Sequence, residues 1–320
     1  MGKCKGSSPH NLQSLKTPHS WSASNTFAVI LVALVFLMPS SGSAQAFLPS
    51  KGEGTVSITY QNVHVAGHFL DDGSRFPAYQ SRSNNLLFGL EYGLTDRLTA
   101  DIGLPYMLIK YTGKEMPLNL PANVLDDGSY HGTAQDFQVG LRYNIQRRRL
   151  AVTPFFTVIL PSHSYKTVGE SAAGANLRQL VSGVYTGRLL NPILPRAYIE
   201  GMYSYGVVQK VVDIPLNRSN TELSGGYFIT PSLSVDVLWR GQWTHGGLNF
   251  SEIFQGSSSE VVRQQDRVTR QNFHHVGAGT AFSITDSVST HFTFVKFVSG
   301  QNAHYGEGIF GGVSWRFTAK

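Results

Sequence analysis

The stretch Leu86-Leu87-Phe88-Gly89-Leu90-Glu91-Tyr92, the turn Gly93-Leu94-Thr95-Asp96 and the run from Leu98 through Ile102, Tyr106 and Leu108 to Lys110 carry the pattern that decides the fold. Leu86, Phe88, Leu90 and Tyr92 fall on one face of an extended chain, and Leu87, Gly89 and Glu91 on the other. After the turn, Leu98, Ala100, Ile102, Leu104, Tyr106 and Leu108 again share a face, opposite Thr99, Asp101 and Gly103, and Lys110 ends the run. Successive side chains of a strand point to opposite sides of its sheet, so this alternation marks two strands with one apolar and one polar face. The second has roughly the 9 to 11 residues of a tilted strand that crosses a bilayer.

The same grammar predicts twelve strands, at residues 55–65, 86–92, 98–108, 137–145, 150–160, 180–190, 197–205, 223–229, 233–243, 276–284, 288–298 and 309–317. Their connections alternate in length. Short turns fall at 93–96, 146–149, 191–195, 230–232 and 285–287, and longer polar segments at 70–80, 112–134, 161–178, 208–218, 244–271 and 300–306. Short turns on one side and long loops on the other, with an even strand count, are the pattern of bacterial outer-membrane barrels. Backbone polar groups in hydrocarbon must be paired internally, which obliges such a sheet to close. A soluble barrel would pack its apolar face inside, where space limits large rings. Here Tyr92, Tyr143, Tyr227, Trp315 and Phe317 fall near the short-turn ends and Tyr106, Tyr205 and Trp243 near the long-loop ends, as two interfacial girdles would. The expected fold class is all-β, a transmembrane antiparallel β-barrel of about 12 strands.

The amino-terminal segment reads as a signal peptide. Lys3, Lys5 and Lys16 precede an uninterrupted apolar run, residues 27–38, and Ser43-Ala44-Gln45-Ala46 supplies an Ala-x-Ala pattern with cleavage before Phe47. The run is too short for a membrane-spanning helix, which needs about 20 residues, and Pro39 ends it. Residues 1–46 are therefore assigned to export and 47–320 to the barrel. The one cysteine, Cys4, lies in the leader, which excludes disulfides, thiolate catalysis and cysteine metal sites from the exported chain. The leader also holds three of the excess positive charges, lowering the net charge from +6 to +3, too mild a balance to suggest nucleic acid. With 19 Phe, 14 Tyr and 33 Gly but only 14% charged residues, the composition favours strands.

Two resemblances follow from particular residues. Gly312-Val313-Ser314-Trp315-Arg316-Phe317 resembles the carboxy-terminal assembly signal of outer-membrane proteins, with Gly312, Trp315 and Phe317 at its key positions. Phe310 stands where a polar residue is usual, and Thr318-Ala319-Lys320 trails beyond the last aromatic. The stretches Glu91-Tyr92-Gly93-Leu94-Thr95-Asp96-Arg97-Leu98-Thr99-Ala100, Leu104-Pro105-Tyr106, Asp136-Phe137-Gln138-Val139-Gly140-Leu141-Arg142-Tyr143 and Val158-Ile159-Leu160-Pro161 resemble the outer-membrane transporter family labelled with the MetA pathway of phenol degradation. Ser162 replaces that family's usual glycine. The resemblance implies a transport barrel, for some members linked to aromatic hydrocarbons, and supplies no catalytic residues.

With the apolar faces against lipid, the inward charged set is Glu91, Asp101, Asp136, Arg142, Glu200, Glu222, Asp236, Arg240 and Arg316. A barrel of about twelve strands is narrower than an open porin, so wall charges must pair or hold water. They read either as structural pairs or as a selectivity screen. No enzyme is expected: His163-Ser164 lies in a loop without a patterned orienting partner, and a triad needs three converging groups. No cofactor and no metal site are expected. His274 and His275 point to opposite faces, and Asp71-Asp72-Gly73-Ser74 and Asp126-Asp127-Gly128-Ser129 read as turn chemistry in preference to calcium loops. The expectation is an outer-membrane channel or transporter for small molecules. The alternatives are a structural or adhesive surface barrel and, less favoured, a barrel enzyme. The expected partners are the lipid bilayer and lipopolysaccharide, the barrel assembly machinery and a small-molecule solute.

Overall fold

The computed structural model describes residues 46–114, 125–146 and 150–319. The expected leader up to residue 45 lies outside the described residues. The chain forms β1 (Glu53–Phe69), β2 (Arg75–Phe76), β3 (Ser81–Gly93), β4 (Leu98–Tyr111), β5 (His131–Ala134), β6 (Phe137–Tyr143), β7 (Ala151–Leu160), β8 (Gln179–Leu189), β9 (Ala197–Val208), β10 (Leu216–Thr230), β11 (Leu233–Gly246), β12 (Asn272–Ser283), β13 (Val288–Gln301) and β14 (Ala303–Thr318). Twelve of these make the wall in simple antiparallel order, and β14 pairs with β1 to close it. The short β2 and β5 extend β1 and β4 at the long-loop end. The expected closed twelve-stranded barrel is what the chain adopts.

Burial is inside out relative to a soluble domain. On the outer surface Val237 is 63% and Trp315 56% exposed, while Gln61, Asn85, Thr99 and Thr153 inside are 0% exposed. Soluble proteins bury their large apolar side chains and leave polar ones in water. An apolar mantle around a polar interior suits hydrocarbon outside and water within. The two aromatic girdles are present as ring contacts. At the short-turn end Tyr92 stacks with Phe317, whose ring also meets Trp315, and at the long-loop end His274 lies between Trp239 and Trp243. Phe317 pairs in register with Gly54, and its ring occupies the space a Cβ there would fill. The assembly-signal aromatics thus sit on the seam that closes the barrel, whereas Gly312 faces inward against Thr59 and His291.

Several strands run longer than expected, β3 from Ser81 and β12 from Asn272 among them, and four further corrections bear on the site. Strand β6 ends at Tyr143, short of residue 145, because the Asn144 amide turns to donate to Ala46 O at 3.1 Å and Thr153 Oγ1 at 2.7 Å. Strand β10 starts at Leu216, so Arg218 belongs to the wall and not to a loop. The expected long loop at 300–306 is a turn at Asn302, which adopts φ 48° between β13 and β14. Those two strands stop pairing with each other beyond Lys296 and Glu307; from there β13 follows β12 and β14 follows β1. The fourth correction concerns the segment 244–271, expected to be polar loop. It contains α1 (Phe250–Gly256), α2 (Ser259–Arg263) and α3 (Gln265–Val268).

These helices build a core outside the barrel wall. Ile253 and Val268 pack with Ala172, Ala175, Leu177, Val208, Val211 and Leu216, joining the segments at 161–178, 209–215 and 247–271 into one lid over the long-loop end. Acidic residues bind it together. Asp71 accepts from the Phe250 and Ser251 amides at the start of α1, Asp126 from the Glu170 and Ser171 amides, and Asp266 from the Gly169 amide. Their neighbours make the expected turns: Asp72 accepts from Ser74 N and Asp127 from Ser129 N, each at 2.8 Å. Hydrogen bonds from Ser74 hold the Asp72 carboxyl below its usual range, and His131 with Ser129 does the same for Asp127.

Candidate functional site: the lumen

A strand that keeps its apolar face to lipid must turn its other face inward, so the lumen wall follows from the alternation alone. Glu91 on β3 and Asp101 on β4 are register partners, and Arg142 on β6 reaches both. Its Nη2 bonds Glu91 Oε1, and its Nε donates to Asp101 Oδ1 at 3.3 Å. Gly140 makes this possible, because a Cβ there would stand 2.3 Å from Asp101 Oδ2. Across the lumen Glu222 and Arg240 are register partners on β10 and β11, with Arg240 Nε 2.6 Å from Glu222 Oε2. Five of the nine expected charged residues therefore form two ion clusters.

The other four are placed differently. Glu200 lies beside Gly187 and the backbone of Ala46 at the short-turn mouth, and Asp236 lies over Gly279. Asp136 precedes β6 and accepts from the Tyr165 hydroxyl, anchoring the lid segment to the rim. Arg316 is exposed at the short-turn end, in register with Thr55. Ala46 itself enters the mouth, its carbonyl accepting from Thr153 Oγ1 at 2.7 Å.

Between these walls lies a cavity with about 190 Å³ of room for water molecules. Charged and polar groups line it on β3, β4 and β6 (Glu91, Asp101, Gln138, Arg142) and on β10 (Asn220, Glu222), and on the strands between these, β7, β8 and β9, Phe155, Ile159, Val181, Tyr185 and Met202 stand among Thr157, Gln179 and Ser204. The expected lumen set omitted these apolar residues, because an apolar side chain in the inward phase carries no polar signal to mark it. It also missed Arg218, buried near the top of the cavity, although Arg218, Asn220, Glu222 and Ser224 share one polar phase that could have revealed it. The His163 ring contacts the hydroxyls of Ser162 and Thr133 at 2.9 and 3.0 Å.

No protein-family model and no curated protein matches the chain. Among solved structures it resembles the COG4313 outer membrane channel from Pseudomonas putida F1, with TM-score 0.65 and 13% identity over 86% of this chain and 99% of that one. The translocator domain of the autotransporter NalP from Neisseria meningitidis superposes at TM-score 0.47 with 9% identity, over 84% and 90% of the two chains. The KdgM porin does so at 0.38 with 10% identity, over 82% and 99%. At such identities the likeness to the COG4313 channel is one of fold, and it places the chain among barrels of outer-membrane architecture.

Proposed function

We propose that the chain is an outer-membrane channel that passes small molecules through its lumen. The observation that supports this most is the lumen cavity, in which an aromatic and aliphatic patch on β7 to β9 is flanked by ion clusters on β3 to β6 and on β10 and β11. Such a lining suits a solute with an apolar ring and a polar or charged group. That preference agrees with the sequence resemblance to transporters linked to aromatic compounds, and the fold likeness to the Pseudomonas putida channel supports the same localisation and role. Arg142 and Arg240 act in this reading as fixed positive charges beside the path, setting both ion preference and the water structure around it.

Planar-bilayer recording tests the proposal. Wild-type protein is expected to give discrete conductance steps, and Arg142→Ala with Arg240→Ala to shift selectivity toward cations by leaving the wall acids in excess. Absence of conductance, together with absence of solute uptake into protein-loaded liposomes, would overturn it in favour of a structural surface barrel.

A further inference from the structure

Where the lid meets the barrel, two histidines and one glutamate converge. His68 ends β1 and His304 begins β14, and the two are register partners across the closing seam. Glu170 reaches them from the lid segment 161–178, its own backbone amide held by Asp126 Oδ2 at 2.9 Å. Glu170 is 0% and His68 2% exposed, and the three ligand atoms lie within 4.8 Å of one another.

We propose that His68, Glu170 and His304 bind a divalent transition cation of the zinc class, which ties the lid to the barrel wall. Two features of the geometry point to it. First, Glu170 Oε2 lies 3.6 Å from His68 Nε2 and 3.3 Å from His304 Nε2. Two donors at about 2.0 to 2.1 Å from a tetrahedral ion stand roughly 3.3 to 3.4 Å apart, so an ion fits among these atoms with little movement. Second, His68 Nδ1 is 3.3 Å from the Ala78 carbonyl. Its Nδ1–H thus donates to the backbone, and Nε2 faces Glu170. Metal-binding histidines are held in this way, by a hydrogen bond from the second ring nitrogen.

The donor chemistry narrows the class. Two imidazole nitrogens and one carboxylate oxygen suit zinc, cobalt or nickel better than calcium or magnesium, which favour all-oxygen sets. Tyr79 and Phe250 set their rings edge-on to His68 and wall the site on that side. Spacing along the chain gives no hint of it, since 134 residues separate Glu170 from His304.

The experiment is binding to detergent-purified, chelator-stripped full-length protein, which does not depend on conduction. Titration with Co²⁺ is expected to saturate at one equivalent per chain, with the intense visible bands of a tetrahedral site, and Zn²⁺ to displace it. His68→Ala and His304→Ala are each expected to weaken Zn²⁺ binding by more than 10-fold, measured by calorimetry on protein that keeps the folded gel mobility. Glu170→Gln, nearly isosteric, gives the same test with the smallest risk to folding. The exposed pair His131 and Asp127 serves as control, and His131→Ala is expected to bind as wild type. Absence of saturable binding, or affinity unchanged in Glu170→Gln, would overturn the site and leave the cluster as an ion pair between carboxylate and imidazolium.

Discussion

At the scale of single residues, the Arg142 cluster shows how a polar lumen is held without a large desolvation cost. Glu91 and Asp101 are neighbours across a ladder, so each would repel the other if both were ionised and alone. Arg142 satisfies both with a planar, multi-donor group that a lysine could not reproduce. Arg142→Ala should therefore cost more than the pair is worth, because it leaves two wall acids facing one another. Breaking a buried pair typically costs about 3–5 kcal/mol, and the partial exposure of the acids to lumen water puts the expected loss near the lower end. The check is the urea midpoint for loss of the folded gel band in lipid vesicles; Arg142→Met combined with Glu91→Gln and Asp101→Asn should recover most of it. The sequence made this cluster legible as inward charge, because each member lies on the polar phase of a clean alternation. It did not show who pairs with whom, since partnership depends on register between strands. Asp136 is the instructive case: in phase with the lumen, it ends up on the rim because its partner Tyr165 comes from a loop with no periodicity to read.

At the scale of elements, strands were legible and loops were not, for one physical reason. A wall strand must repeat every two residues because lipid and water lie on its opposite sides, whereas a lid segment needs only a few apolar contacts at irregular spacing. Ile253 and Val268 lie in a segment of mostly polar residues, and the short helices that present them depend on buried partners in segments 37 to 96 residues away in the chain. The top of β1 carries the same kind of hidden constraint. The register of β1 against β14 shifts between Val65 and Gly67, and Gly67 adopts φ 153° with the site of a Cβ only 2.2 Å from the backbone oxygen of Phe76. Backbone cannot yield as a flexible side chain does, so Gly67→Ala is expected to displace β2 and the turn at 70–74 while the rest of the wall persists. Limited proteolysis is the measurement: new cleavage within residues 70–80, with unchanged heat-modifiable mobility, is the expected result, and cleavage no faster than wild type would show that the bulge relaxes around the methyl group.

At the scale of the whole molecule, the barrel and its lid answer to different forces. The wall is held by a closed ladder in which each strand has two neighbours, so its backbone pairing is complete without any contribution from the long loops. The lid is held by the small core around Ile253 and by a few hydrogen bonds that Asp71, Asp126 and Asp266 accept from backbone amides. It should therefore be the part that opens first, since local stability follows the number of buried contacts. If conduction runs through the lumen, the lid sets its resistance, and removing it should raise conductance while leaving the wall folded. Replacing residues 250–268 with a short Gly-Ser linker is expected to keep the β circular-dichroism spectrum and heat-modifiable mobility and to increase single-channel conductance severalfold. A milder variant, Ile253→Asp, places a charge in the lid core and should give the same direction through frequent opening events instead of a permanent rise. Conductance unchanged in both variants would mean that the lid does not obstruct the path, and would move the constriction down to the level of Arg142 and Tyr185, which line the lumen below it.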